Sequence, residues 1–86
     1  MSGNHERIKR HMAKLPVISG RELAKVLAKI GYLRDHQKGS HIVLRHQAPP
    51  HRRLTIPDHK EIAKGTLKSI LRESGLTLKE FLDLSF

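Results

Sequence analysis

A turn signal, Lys38-Gly39, separates a stretch without helical period from the β-branched apolar run Ile42-Val43-Leu44. This commits the middle of the chain to an antiparallel hairpin. Gln47-Ala48-Pro49-Pro50-His51 cannot continue a strand, because two prolines remove ladder donors. Arg52 to Ile56 resumes extended structure before Pro57 closes it, so three antiparallel strands are predicted.

Helical patterns flank this sheet. Ser19-Gly20-Arg21-Glu22 has the form in which both side chains satisfy orphan backbone donors at a helix start, and Leu23, Val26, Leu27 and Ile30 follow at helical spacing. A first helix is predicted over Gly20 to Ile30, stopped by Gly31, with Lys25 and Lys29 on its wet side. Leu67, Ile70 and Leu71, between Gly65-Thr66 and Gly75, predict a second helix over Thr66 to Ser74. Thr77-Leu78-Lys79-Glu80 repeats the capping pattern, and Leu78, Phe81 and Leu82 suggest a short third helix. The predicted class is α+β: helix, three-stranded antiparallel sheet, helix, short C-terminal helix. A chain of 86 residues builds only one core. Helices on one face of the sheet leave the other to solvent and ligand.

The balance of charge narrows the partner. Lys and Arg number 17 against 8 Asp and Glu, and between Lys25 and Arg72 the count is eleven against three. Such an excess favours a polyanion, nucleic acid or an acidic protein. No cysteine is present, which excludes disulfides, thiolate metal sites and cysteine nucleophiles. The apolar runs are a few residues long, far below the roughly 18 of a membrane span, and a cytoplasmic location is expected. Residues 1–11 read as a cloning remnant, since His11-Met12 is a common junction before an initiator methionine. A single domain is then expected over 12–86.

The element order, with Ser19-Gly20-Arg21-Glu22-Leu23, Gly31-Tyr32, Gln37-Lys38-Gly39-Ser40-His41, Ile56-Pro57-Asp58-His59-Lys60 and Lys64 through Leu76, resembles the HicA toxin family. The resemblance covers nearly everything after Met12. It implies a fold like a double-stranded-RNA-binding domain, ribonucleolytic cleavage of messenger RNA, and neutralisation through direct binding by a HicB-type antitoxin. The family's catalytic histidine in its Gly-Ser-His motif carries over to His41.

RNA carries its own nucleophile, the 2′-hydroxyl, so cleavage needs a base, an acid and cations around the phosphorane. His41 can serve as acid or base. In a pleated strand His41, Val43 and Arg45 point away from Ile42 and Leu44, so a buried aliphatic pair sets the histidine outward beside an arginine. Lys38, Ser40, Arg45, Lys60, Lys64 and Lys68 are the expected RNA contacts. Lys60, Lys64, Lys68 and Arg72 recur every four residues and form a basic stripe if one helix runs through them. Amides near Gly65 and Thr66 add phosphate donors at the helix start. Nothing in the sequence specifies an activating arrangement for Ser40 as a nucleophile.

Two hairpin registers are open. A two-residue Lys38-Gly39 turn sets His36 opposite His41 as an acid and base pair but turns Asp35 coreward. A three-residue turn sets Asp35 opposite His41, where it orients the ring, and lets Tyr32 join the core. The second is preferred because it buries the tyrosine and not the aspartate.

His36, His41, His46 and His51 fall five apart, which puts His41 and His46 on opposite faces of one strand. No metal and no cofactor is expected. Three aromatic residues are too few for base stacking to dominate. The same basic surface also suits a non-catalytic double-stranded-RNA-binding module, or a protein whose only task is to engage an acidic antitoxin.

Overall fold

The computed structural model describes residues 15–85. The remnant expected over residues 1–11 lies outside them. The elements are α1 (Gly20–Ala28), β1 (Tyr32–Lys38), β2 (His41–His46), β3 (Arg53–Pro57), α2 (Lys64–Ser74) and α3 (Leu78–Ser85). The strands form one antiparallel sheet in the order β1-β2-β3. This is the predicted α+β, double-stranded-RNA-binding-domain-like architecture.

Both capping boxes form. The Glu22 amide donates to the Ser19 hydroxyl at 3.1 Å and the Ser19 amide to the Glu22 carboxylate at 3.2 Å. Thr77 and Glu80 repeat the exchange at the start of α3. Helix α1 ends at Ala28, short of the expected Ile30, because the amides of Lys29, Ile30 and Gly31 all bond three residues back and tighten the last turn. Helix α2 starts at Lys64, two residues earlier than expected, and ends at Gly75 in the left-handed conformation.

One face of the sheet carries the core. Ile42 and Leu44 of β2 and Leu54 and Ile56 of β3 are buried against Leu23, Val26 and Leu27 of α1 and Leu67, Ile70 and Leu71 of α2. Phe81 of α3 is fully enclosed, so the short C-terminal helix seals the core and is not an appendage. Lys29 fastens it further, its ammonium donating to the Leu84 carbonyl at 2.6 Å.

The hairpin register differs from both expected ones. Lys38 pairs with His41, so the turn is Gly39-Ser40, and neither Asp35 nor His36 stands opposite His41. Glycine's conformational freedom decides this. Gly39 has φ +59° at the first central position, where a two-residue turn matched to the twist of its strands takes a glycine. Left regular, that pairing would set Tyr32 on the open face. A β-bulge between Arg34 and His36 absorbs Asp35 and inverts the alternation, so Tyr32 pairs with His46 and is buried while Asp35 stays exposed. The demand that the tyrosine be inside is met by a bulge, not by a longer turn. Its by-product is Leu33, 47% exposed on the open face.

Candidate functional site

The residues opposite the core form three cross-strand rows. Lys38, His41 and Pro57 make the first, His36, Val43 and Thr55 the second, and Leu33, Arg45 and Arg53 the third. Neighbouring rows lie about 6.6 Å apart along the strands. His41 is exposed, and the burial of Ile42 and Leu44 at 1% exposure each forces that orientation.

The position of His41 is secured from beneath. The Asp58 amide donates to the Ser40 carbonyl at 2.7 Å. The Asp58 carboxylate accepts from the Arg21 guanidinium at 3.2 Å and the Gln37 amide at 3.1 Å, and the same Gln37 nitrogen donates to the Gly39 carbonyl. These bonds, that from Arg21 foremost, hold the Asp58 carboxyl below its ordinary range. One aspartate thus ties the turn, the end of β3 and the start of α1 together.

Lys38 is the expected phosphate ligand that meets His41 directly, as its cross-strand partner. Arg45 shares the face but lies four residues along β2, about 13 Å away. Ser40 is the second turn residue, and its carbonyl is occupied by Asp58. Lys64 and Lys68 are exposed on α2, in the layer behind the sheet, and Lys60 precedes that helix. The stripe therefore runs through Lys64, Lys68 and Arg72 without Lys60. Helix α2 opens on Ala63, which offers no side-chain cap to the first amides.

Asp35 and His36 pair with each other. His36 Nδ1 lies 2.8 Å from the Asp35 carboxylate, and this hydrogen bond, aided by the charges of Arg53 and Arg45, lowers the Asp35 carboxyl. Neither residue is the cross-strand partner of His41 as expected, because the two-residue Gly39-Ser40 turn gives that place to Lys38.

Arg53 is a candidate site residue that sequence reasoning missed. It stands directly opposite Arg45, and like charges so placed destabilise a sheet unless an anion lies over them. The alternation Arg53-Leu54-Thr55-Ile56 carried the signal, since any register that buries Leu54 and Ile56 turns Arg53 outward. His46 points the other way. Its Nδ1 accepts from the Ala48 amide at 3.0 Å and its Nε2 donates to the Ile30 carbonyl at 2.8 Å, so the ring is a structural strut packed edge-on against Tyr32. Gly31, at φ +98°, lies so close that a Cβ there would come within 2.6 Å of the ring. Among the described residues, no three His, Asp or Glu side chains group as metal ligands.

A family model described as the HicA toxin of bacterial toxin-antitoxin matches residues 20–76. The chain belongs to the HicA toxin family. Membership makes it the toxin half of a toxin–antitoxin pair. No curated protein matches the chain. The HicA match begins at the first residue of α1 and ends just before α3, and it includes every residue of the three rows on the open face. No helix among the described residues is long and apolar enough to cross a membrane.

Proposed function

We propose that this HicA toxin is a cytoplasmic, metal-independent endoribonuclease that cleaves messenger RNA and is silenced by a HicB-type antitoxin. The observation that carries the reading is an exposed imidazole, His41, on the open sheet face beside Lys38, with the opposed Arg45 and Arg53 two rows along the same face. A cation beside the ring and two more along the face suit a phosphate backbone passing over it.

In the proposed reaction the 2′-hydroxyl attacks the adjacent phosphorus, with His41 as general acid or base and Lys38 countering charge on the phosphorane. Arg45 and Arg53 hold a neighbouring phosphate, while Lys60, Lys64 and Lys68 extend the contact away from the reacting linkage. Ser40 contributes the turn that presents the histidine.

The test is incubation of purified wild-type and His41→Ala protein with an mRNA transcript, with and without chelator. Wild type is expected to cut in both conditions and to leave cyclic phosphate ends. His41→Ala is expected to bind equally and cut about 10²–10⁴-fold more slowly. Cutting by His41→Ala at the wild-type rate, or products with a 5′-phosphate from attack by water, overturns the assignment. Binding without any cutting by wild type favours the non-catalytic RNA-binding module.

A further inference from the structure

We propose that His36, held by Asp35, is the second catalytic group: the general acid that protonates the leaving oxygen while His41 acts as the base. This inference rests on the ribonuclease reading and gives its unassigned proton donor a residue.

The Gly39-Ser40 turn pairs Lys38 with His41, and the regular ladder running from that pair puts His36 opposite Val43, before the bulge at Asp35. His36 and His41 are therefore diagonal neighbours on one sheet face, a relation that separates Cβ atoms by about 7–8 Å. Acid and base acting on one phosphodiester stand on either side of the phosphorus, each one hydrogen-bond reach of about 2.6–3.2 Å from its oxygen. Their nitrogens are thus more than about 5 Å apart, and a diagonal pair meets that spacing where a directly opposed pair crowds it. The other diagonal of the same four-residue group is Lys38 and Val43, a cation for the phosphate and a compact side chain. His36 is accessible, its side chain 53% exposed.

Charge placement assigns the two roles. His36 Nδ1–H donates to the Asp35 carboxylate at 2.8 Å, which leaves Nε2 as the free nitrogen. A ring that begins the reaction as a cation is better placed beside a carboxylate, and a ring that begins neutral is better placed beside an ammonium. Asp35 attends His36, and Lys38 faces His41. Arg45 and Arg53 sit one row away, and their charges fall on Asp35.

The step balances without a co-reactant. The 2′-oxygen bonds to phosphorus as its proton passes to His41. The bond from phosphorus to the 5′-oxygen breaks, its electron pair leaves with that oxygen, and the Nε2 proton of the His36 imidazolium goes to it. A cyclic phosphate and a 5′-hydroxyl result, and proton exchange with water resets both rings.

The experiment uses an RNA oligonucleotide cut by wild type and the same oligonucleotide with sulfur replacing the 5′-bridging oxygen at that linkage. A thiolate leaves without an acid. His36→Ala is expected to cut the ordinary RNA at least about 100-fold more slowly than wild type and the sulfur-bridged RNA within about tenfold of it, at unchanged RNA affinity. Asp35→Asn is expected to show the same pattern with a smaller loss, and His41→Ala is expected to fail on both. Equal slowing of His36→Ala on both substrates, or wild-type cutting of the ordinary RNA, overturns the acid role. If wild type cuts no RNA at all, the ribonuclease reading falls first and this assignment with it.

Discussion

Replacing Gly20 with alanine tests the joint on which the site depends. The usual effect of such a change in a helix is a gain of up to about 1 kcal/mol. Here a Cβ would lie 2.0 Å from the Pro57 carbonyl oxygen, 3.0 Å from its carbon and 3.2 Å from the Asp58 Cα. All three are backbone atoms and cannot swing aside. Reaching an ordinary contact of 3.4 Å requires a retreat of 1.4 Å, the difference from 2.0 Å, by the end of β3. That movement strains the Gly20 amide's bond to the His59 carbonyl at 2.9 Å and the Asp58 amide's bond to Ser40 at 2.7 Å. Two weakened hydrogen bonds at about 0.5–1.5 kcal/mol each and overpacking of about 1–3 kcal/mol, less the propensity gain, leave a net loss near 3 kcal/mol. Gly65 is the control, since a Cβ there meets nothing within 4 Å, and Gly65→Ala is expected to be neutral or to gain up to about 1 kcal/mol. Urea unfolding followed by far-UV circular dichroism, with His41→Ala as the parent chain, measures both. The reasoning is refuted if Gly20→Ala stays within about 0.5 kcal/mol of its parent, or if the two variants shift stability equally in the same direction.

Three further outcomes follow from the same packing and charges. Phe81→Ala empties a fully enclosed site and is expected to cost about 3–5 kcal/mol by urea unfolding; a loss below about 1 kcal/mol would show that α3 does not seal the core. Arg45→Gln with Arg53→Gln is expected to leave stability unchanged or raised, and to flatten the dependence of log RNA affinity on log salt by about 1.4 for single-stranded RNA. An unchanged slope in filter-binding titrations would remove both arginines from the interface. The carboxyls of Glu22, Asp35, Asp58 and Glu80 are all lowered by the hydrogen bonds they accept. Their stabilisation is complete above the unfolded-chain values of about 3.9–4.3 and is lost as pH falls through the lower folded-state values. The urea midpoint is expected to hold from about pH 7 to pH 5 and to fall below about pH 4, and a rise there would contradict the assignment.

The parts of the fold that depend on near neighbours were legible in the sequence. Ser19 with Glu22 marked α1, Thr77 with Glu80 marked α3, and Gly75 marked the end of α2, each through bonds spanning a few residues. The outward aim of His41 was legible because the alternation of Ile42 and Leu44 leaves it no other direction. What stayed hidden was set between distant segments. The hairpin register pits the turn preference of Gly39 against the burial of Tyr32, and the compromise spends Asp35 as a bulge that no local pattern announces. Arg53 acquires meaning only from Arg45 across the β2–β3 pairing, and the diagonal relation of His36 to His41 only from the Gly39-Ser40 turn register. The stripe through Lys60 failed for a simpler reason: the helix that would align it begins at Lys64.

In the proposed ribonuclease the Gly39-Ser40-His41 motif divides its labour between register and chemistry. A one-residue slip in a strand exchanges its faces, and here a slip would drive His41 toward the helices and expose Ile42 and Leu44. Gly39 prevents it by fixing the turn at φ +59°, and Ser40 by giving its carbonyl to the Asp58 amide. Asp58 then binds Arg21 and Gln37, so α1, β1 and β3 all oppose movement of the turn. A reacting imidazole must hold its place to within a fraction of an ångström, and a bare hairpin is marginally stable on its own. The placement of His41 therefore originates in Gly39, Ser40, Asp58, Arg21 and Gln37. Under the proposed ribonuclease function, loss of cutting from a change at Gly39 or Asp58 reports a displaced histidine, and loss at His41 alone reports missing chemistry.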